Sequence, residues 1–128
     1  MKRLVLVLGF VAFSSFSLAA PAVRLIVSNN PCIAEPCPGP FPIPPTIIGV
    51  GQLFRIFVAA VDSANSTDPN FTGAVTFSTT DALASLPSTF TFTLSNEGST
   101  RGGLTTILRT PGNQTITVTD ASGNLLPG

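Results

Sequence analysis

The sequence predicts an all-β chain folded as an immunoglobulin-like antiparallel β-sandwich of about seven strands, and two observations support this fold class. Apolar and polar residues alternate with period two in short segments, which is typical of strands that bury one face and solvate the other. Turn-forming residues separate these segments at intervals of roughly ten residues, the spacing of strands in a sandwich. Two antiparallel sheets packed face to face would hide the apolar faces, and a small barrel is the alternative architecture.

The first 19 residues have the layout of a secretory signal peptide. Lys2 and Arg3 precede an uncharged apolar run over residues 4–13, and Ser17-Leu18-Ala19 offers a small-residue cleavage site. The run is short for the ~20 residues of a membrane-spanning helix, which is the alternative interpretation. We therefore expect cleavage after Ala19, export to the periplasm, cell surface or medium, and no stable membrane span in the mature chain.

Residues 20–128 then form one domain, and its first strands are predicted as follows. The segment VRLIVSN (23–29) is a strand, and IGVGQLFRIFVAAVD (48–62) contains a longer one. In the longer strand one face carries Phe54, Ile56, Val58 and Ala60, with Arg55 opposite. The segment SANSTDPN (63–70) is a loop, because Asn, Asp, Ser and Pro favour turns.

Four further segments show the same alternation in the second half of the chain. FTGAVTFSTTD (71–81) turns Val75 and Phe77 inward, and TFTFTL (89–94) is the cleanest alternation, with Phe90, Phe92 and Leu94 on one side. LTTILRT (104–110) alternates through Leu104, Thr106 and Leu108, and QTITVTD (114–120) places Ile116 and Val118 inward. The segments between them, including ALASLPS (82–88) with its Pro87, are predicted turns and crossings.

Composition argues against catalysis and against nucleic-acid binding. The chain has no His, Trp or Tyr, and its mature part has no Lys, so a Ser or Thr nucleophile lacks the usual activating base. Without Lys2 and Arg3, four scattered arginines face six acidic residues, which gives a mature charge of about −2. A nucleic-acid partner requires a clustered basic face. We expect a non-catalytic protein without a cofactor.

The second half of the chain resembles the repeat of bacterial extracellular immunoglobulin-like domains. The resemblance covers residues 50–120 and is closest from residue 71 onward, in FTGAVTFSTTDALASLPSTFTFTLSNEG and LRTPGNQTITVTD. The matching positions are Phe71, Gly73, Val75, Phe77, Leu86, Pro87, Phe90, Phe92, Gly112, Gln114 to Val118 and Asp120. The segment DSANSTDPN replaces the Asp-x-x-Gly-Asn turn that is common in the family. The resemblance implies the sandwich fold, a bacterial source, and neighbouring modules of the same kind or a surface protein or glycan as partners.

A Cys/Pro-rich insertion, PCIAEPCPGPFPIPPT (31–46), separates the first two predicted strands. Its spacing differs from C-x-x-C redox sites, and two cysteines without His cannot form a structural zinc site. In an exported protein we expect Cys32 and Cys37 to form a disulfide, which stabilises the loop by about 2 kcal/mol. The alternative role is a partner-binding loop that presents Phe41 and Ile43 on a stiff, polyproline-like backbone.

The acidic residues allow a calcium hypothesis. Asp62, Asp68 and Asp120, together with Asp81, lie at predicted loop ends, where carboxylates could supply part of the six to eight oxygen ligands that calcium takes. The alternative is that each Asp caps a turn by accepting hydrogen bonds from its own backbone. No dense Asp-x-Asp motif is present, which favours turn capping over metal binding.

The expected function is a structural or interaction module of the cell surface or periplasm. The alternative is a glycan- or protein-binding domain that uses the loop 31–46. The strands TFTFTL and QTITVTD are low in charge and high in β-propensity, so either could recruit a further strand if it lies at a sheet edge, although core strands have the same composition.

Overall fold

A computed structural model describes residues 20–29 and 47–128. The predicted signal peptide, residues 1–19, lies outside the described residues. So does the insertion 31–46, with the predicted Cys32–Cys37 disulfide and the candidate loop residues Phe41 and Ile43.

The described part is all-β, with two antiparallel sheets of three strands each. The strands are β1 (Arg24–Ser28), β2 (Leu53–Val61), β3 (Ala74–Thr79), β4 (Phe90–Thr91), β5 (Leu104–Ile107) and β6 (Ile116–Asp120). One sheet has the order β1-β2-β5 and the other β4-β3-β6. A short 3-10 turn spans Leu94–Asn96, and no helix in residues 20–29 and 47–128 is long and apolar enough to cross a membrane.

The core lies between the two sheets and confirms the predicted inward faces of several strands. The buried cluster consists of Leu25, Val58, Ala60, Val75, Phe92 and Val118. Phe71 and Phe90 pack edge-on against Phe92, with ring centroids 5.2 and 5.0 Å away. These side chains come from β1, β2, β3 and β6 and from the segment after β4, so each sheet covers the apolar face of the other.

The second half of β2 is buried on both faces, unlike the half-solvated strand that alternation predicts. Val58 and Ala60 face the inter-sheet core, and Ala59 and Val61 form a second cluster with Ile26 and Phe57. The segment after the 3-10 turn runs alongside β2 at this level, since Ala59 forms an antiparallel bridge with Ser99. Arg55, in the first half of β2, is exposed, as predicted.

The prediction for 89–94 was wrong in part. Only Phe90–Thr91 form a strand, and Leu94 lies in the 3-10 turn with 63% of its surface exposed. The chain bends because the Thr93 amide donates to Asn96 Oδ1 at 2.7 Å while the Asn96 amide donates to the Thr93 carbonyl at 2.9 Å. These local bonds compete with strand pairing, and alternation alone does not detect them. The described residues form six strands, whereas about seven were predicted.

β2 and β5 are also shorter than the alternating segments that predicted them. β2 begins at Leu53 because a turn precedes it, in which the Gln52 amide donates to the Gly49 carbonyl at 3.0 Å. β5 ends at Ile107, and shortly after it the backbone amides of Arg109 and Thr110 donate to the carboxylate of Asp81.

Candidate functional site

Buried carboxylates hold the loops at both ends of the sandwich. Asp62 accepts hydrogen bonds at Oδ1 from the amides of Ala64 (2.8 Å) and Ser66 (3.0 Å). Asp68 accepts at Oδ1 from the Asn70 amide (2.9 Å) and at Oδ2 from the Ala22 amide (3.0 Å). The first carboxylate shapes its own loop, whereas the second also fixes the segment that leads into β1.

At the opposite end of the sandwich, the carboxylate of Asp81 accepts four hydrogen bonds. It is 2% exposed and accepts from the amides of Leu83 (2.9 Å), Arg109 (2.6 Å) and Thr110 (3.0 Å), and from the Thr110 hydroxyl (2.6 Å). The Thr110 hydroxyl contributes most to lowering the pKa of Asp81 well below its ordinary value, the three amides add to it, and burial opposes it. An ionised Asp81 thus joins the loop after β3 to the loop after β5.

Asp120 closes the turn after β6. Its Oδ2 accepts from the Ser122 hydroxyl (2.7 Å) and from the amides of Asn124 (3.0 Å) and Leu125 (3.2 Å), and Oδ1 accepts from the Ser122 amide (3.1 Å). Burial is the strongest influence and raises the pKa of Asp120, but these donors together hold it below its ordinary value. The turn directs the last residues back toward the sheets.

The calcium candidates Asp62, Asp68 and Asp120 all lie at the end of the sandwich where β2 and β6 finish. Within residues 20–29 and 47–128, no group of three or more His, Cys, Asp and Glu residues could hold a metal ion. The carboxylate oxygens accept from backbone amides, which is the turn-capping role. Calcium binding by these residues stays a prediction, which unfolding with and without calcium would test.

Three of the four arginines in the described part bind nearby groups instead of forming one basic face. Arg55 donates from Nη1 to the Gly102 carbonyl, and Arg101 pairs with Glu97 on the surface. Arg109 donates from Nη1 to the Leu83 carbonyl (2.8 Å) and to Ser85 Oγ (2.7 Å). Each of these three guanidinium groups therefore supports a nearby loop.

An open groove of about 620 Å³ lies at the end of the sandwich that Asp81 supports. Apolar side chains contributed by both sheets and the adjoining segments line it, namely Val27, Ile48, Val50, Phe54, Ile56, Leu108 and Ile116. Backbone and polar groups of residues 110–114 form another wall. Asn29 and Ile48, which flank the undescribed insertion on either side, both belong to the lining.

The groove was not predicted as a site from the sequence, although several of its residues were singled out as inward-facing. Phe54 and Ile56 are on the predicted inner face of β2, and Leu108 and Ile116 on those of the two last alternating segments. Alternation shows that these residues face inward. It does not show that a groove remains at this end of the two sheets with these residues in its lining.

Comparison of the chain with protein-family models, with curated proteins and with solved structures found no match.

Proposed function

We propose that this chain is an exported, immunoglobulin-like module that acts without catalysis, as a structural or interaction domain at the cell surface or in the periplasm. One observation carries the proposal: the buried carboxylates Asp62, Asp68, Asp81 and Asp120 are all engaged in holding loops. The hydrogen bonds that these carboxylates accept stabilise the loops and so the shape of the molecule. A module that works by presenting loops and edges needs this kind of support.

The residues that carry the family resemblance have packing roles, which supports the immunoglobulin-like assignment. Phe71, Phe90 and Phe92 form one aromatic group in the core cluster, together with Val75 and Val118. Gly73 lies against the Phe71 ring, where an added Cβ would be 2.5 Å from Cζ. A repeat motif made of such positions specifies a scaffold and leaves the loops free to vary.

Export is tested at the N-terminus of the mature protein. We expect protein recovered from outside the cytoplasm to begin at Ala20, with a mass two hydrogens below that of the reduced chain because Cys32 and Cys37 are joined. Ala19→Phe should block processing, since signal peptidases require a small residue there, whereas Ala12→Phe inside the apolar run should be processed normally. Retention of an unprocessed wild-type chain in the cytoplasm would contradict the proposal.

A second candidate function is recognition of a glycan or protein through the loop 31–46. The observation that favours it is that Asn29 and Ile48, near the two ends of the undescribed segment, line the same groove. The test is a variant in which residues 32–45 are replaced by a short Gly/Ser turn, compared with the wild type on a glycan array. Equal binding by the two proteins, with equal unfolding temperatures, would remove this candidate.

A further inference from the structure

A smaller pocket, of about 240 Å³, lies between the two turns that connect β4 to β5 and is called the β4–β5 pocket below. One wall is the 3-10 turn, which contributes Ser95 and Asn96, and the other is the turn before β5, which contributes residues 100–103. Phe90 of β4 and Leu104 of β5, both half-buried, supply the apolar part of the lining. The β4–β5 pocket shares no described lining residue with the groove at the Asp81 end.

Hydrogen bonds within the 3-10 turn fix the direction of the Asn96 side-chain amide. Asn96 Oδ1 accepts from the Thr93 amide at 2.7 Å and from the Thr93 hydroxyl at 3.0 Å. Because only the oxygen of this side chain can accept, Nδ2 lies on the other side of the amide group. Among residues 20–29 and 47–128, Nδ2 has no acceptor. Asn96 therefore leaves a donor for the pocket that it lines.

The same chain of hydrogen bonds makes the Ser95 hydroxyl an acceptor. Ser95 Oγ lies 2.7 Å from Thr93 Oγ1. The single proton of the Thr93 hydroxyl is donated to Asn96, so Ser95 is the donor of this bond and its lone pairs remain to accept from another group. The turn thus offers a donor and an acceptor on adjacent residues, and two neighbouring hydroxyls of a sugar ring complement such a pair.

The opposite turn carries Arg101, the one charged residue among the described lining residues. The Gly103 amide closes this turn on the Thr100 carbonyl at 3.0 Å, and Thr100 Oγ1 anchors it to the Val58 amide of β2 at 2.8 Å. Arg101 pairs with Glu97, but both side chains are exposed, and an exposed ion pair contributes little. Because a guanidinium has five N–H donors, Arg101 can bind a further carboxylate on its pocket side.

The apolar part of the lining matches the remaining face of a sugar ring. A pyranose ring exposes C–H groups on its faces and hydroxyls around its edge, and the C–H groups pack against aromatic and aliphatic side chains. The ring of Phe90 is held for this contact by edge-on packing against Phe92, with centroids 5.0 Å apart. The volume of about 240 Å³ is below the ~300–1,000 Å³ of sites that enclose a drug-sized molecule, so it suits one residue of a longer chain.

We propose that the β4–β5 pocket binds one acidic sugar residue, a uronate, of a glycan. The uronate carboxylate accepts hydrogen bonds from the Arg101 guanidinium. One ring hydroxyl accepts from Asn96 Nδ2, and its neighbour donates to Ser95 Oγ, while the C–H face packs on Phe90. An acidic peptide offers the carboxylate without the paired hydroxyls, so the glycan is the favoured occupant. This inference rests on the proposed function as an interaction module and is independent of the loop 31–46.

The probe is a trisaccharide of galacturonate, added to the exported, isotope-labelled protein and followed by NMR. We expect saturable shifts of the Asn96 side-chain amide and of the Gly102 backbone amide, and none of the side-chain amide of Asn70, which is exposed and outside the described lining. Methyl esterification of the trisaccharide keeps the ring hydroxyls and removes the charge, so it should weaken binding by at least about tenfold. A tripeptide of glutamate should bind about tenfold more weakly than the uronate, because it lacks the ring hydroxyls.

Three variants test the contacts, and a fourth is the matched control. Asn96→Asp keeps the oxygen that holds Thr93 and replaces the donor by an anionic oxygen, so affinity should fall by at least about tenfold. Asn70→Asp makes the same chemical change outside the pocket and should alter the affinity by no more than about twofold. Arg101→Gln should weaken binding about tenfold, and Glu97→Gln should strengthen it severalfold because the competing carboxylate is removed. Melting curves check that all four proteins fold.

Unchanged spectra, equal affinity for the methyl ester, or equal losses in Asn96→Asp and Asn70→Asp would overturn the inference. Equal binding of the glutamate tripeptide would make an acidic peptide the occupant and also refute it. The comparison of the uronate with its ester needs only the wild type, so it decides the matter even if a variant fails to fold. An exported, processed protein that fails these tests refutes the site alone, whereas uronate binding by a chain that is never exported refutes the proposed function and keeps the site.

Discussion

Replacing Thr106 with valine is expected to stabilise the domain. Thr106 of β5 is 0% exposed, and its Oγ1 has no hydrogen-bond partner among residues 20–29 and 47–128. Valine has almost the same shape, so the substitution removes the buried hydroxyl and leaves the packing intact. An unpaired buried hydroxyl costs about 1–3 kcal/mol in proteins, and the free energy of unfolding should rise by about that amount.

Thr100 provides the matched control, because it is a buried threonine whose hydroxyl is used. Its Oγ1 accepts from the Val58 amide at 2.8 Å. Thr100→Val leaves that amide without an acceptor in the core, which costs about 1–3 kcal/mol. The same chemical change should therefore stabilise the protein at one position and destabilise it at the other.

Urea unfolding of the three proteins, followed by circular dichroism, measures both changes, and thermal melts provide a second reading. For a domain of this size 1 kcal/mol corresponds to roughly 4–8 °C in Tm. A lower stability of Thr106→Val, or changes of the same sign at both positions, would refute the reasoning. The first result would mean that the Thr106 hydroxyl has a partner, such as a buried water.

Three further predictions concern the core, the carboxylates and a tight turn. Phe92→Ala should lower the free energy of unfolding in urea titrations by about 3–5 kcal/mol, because the ring is 1% exposed and contacts two other phenylalanines. A loss below about 1 kcal/mol would contradict the central place of Phe92 in the core. The pKa of Asp81 is lower in the folded state than in the unfolded state, so its contribution to stability is complete above about pH 5 and is lost as the pH falls. The Tm of the wild type should therefore drop in acid, whereas Asp81→Asn should have a lower Tm at pH 7 and a flatter dependence of Tm on pH. Parallel Tm curves of the two proteins would contradict this. Gly98→Ala should destabilise the protein more than Gly123→Ala in the same melts. Both glycines have φ near +75° (75° and 73°), but only at Gly98 would the new Cβ lie 2.2 Å from the Asp68 carbonyl oxygen. Equal losses of Tm would show that the backbone angle alone matters.

Strand positions followed well from the sequence where side-chain alternation decides the structure. The segments around Val75 and Val118 alternate because one face is buried, and both residues are fully buried as predicted. Leu94 was misplaced because Thr93 and Asn96 form a local hydrogen-bonded turn that overrides the alternation.

The contacts that position the candidate site could not be predicted, because they join distant parts of the chain. The sequence marks Asp81 as a turn residue but does not reveal that the loop after β5 donates to it. Leu126 and Gly128 flank a proline in a segment that has the composition of a loop, yet they pair with β1 and β6. Strand pairing of this kind depends on the whole fold rather than on local sequence.

The pairing of β1 also has a consequence for the order in which the molecule folds. One edge of β1 pairs with the end of β2, and the other edge meets Leu126. The Asp68 carboxylate fixes the Ala22 amide just before the strand. During synthesis from the N-terminus β1 therefore appears first, and its second edge can pair only when residue 126 has followed. Contacts of such long sequence separation slow folding, so we expect the β1–β2 pair to form early and the contact of β1 with Leu126 to form late.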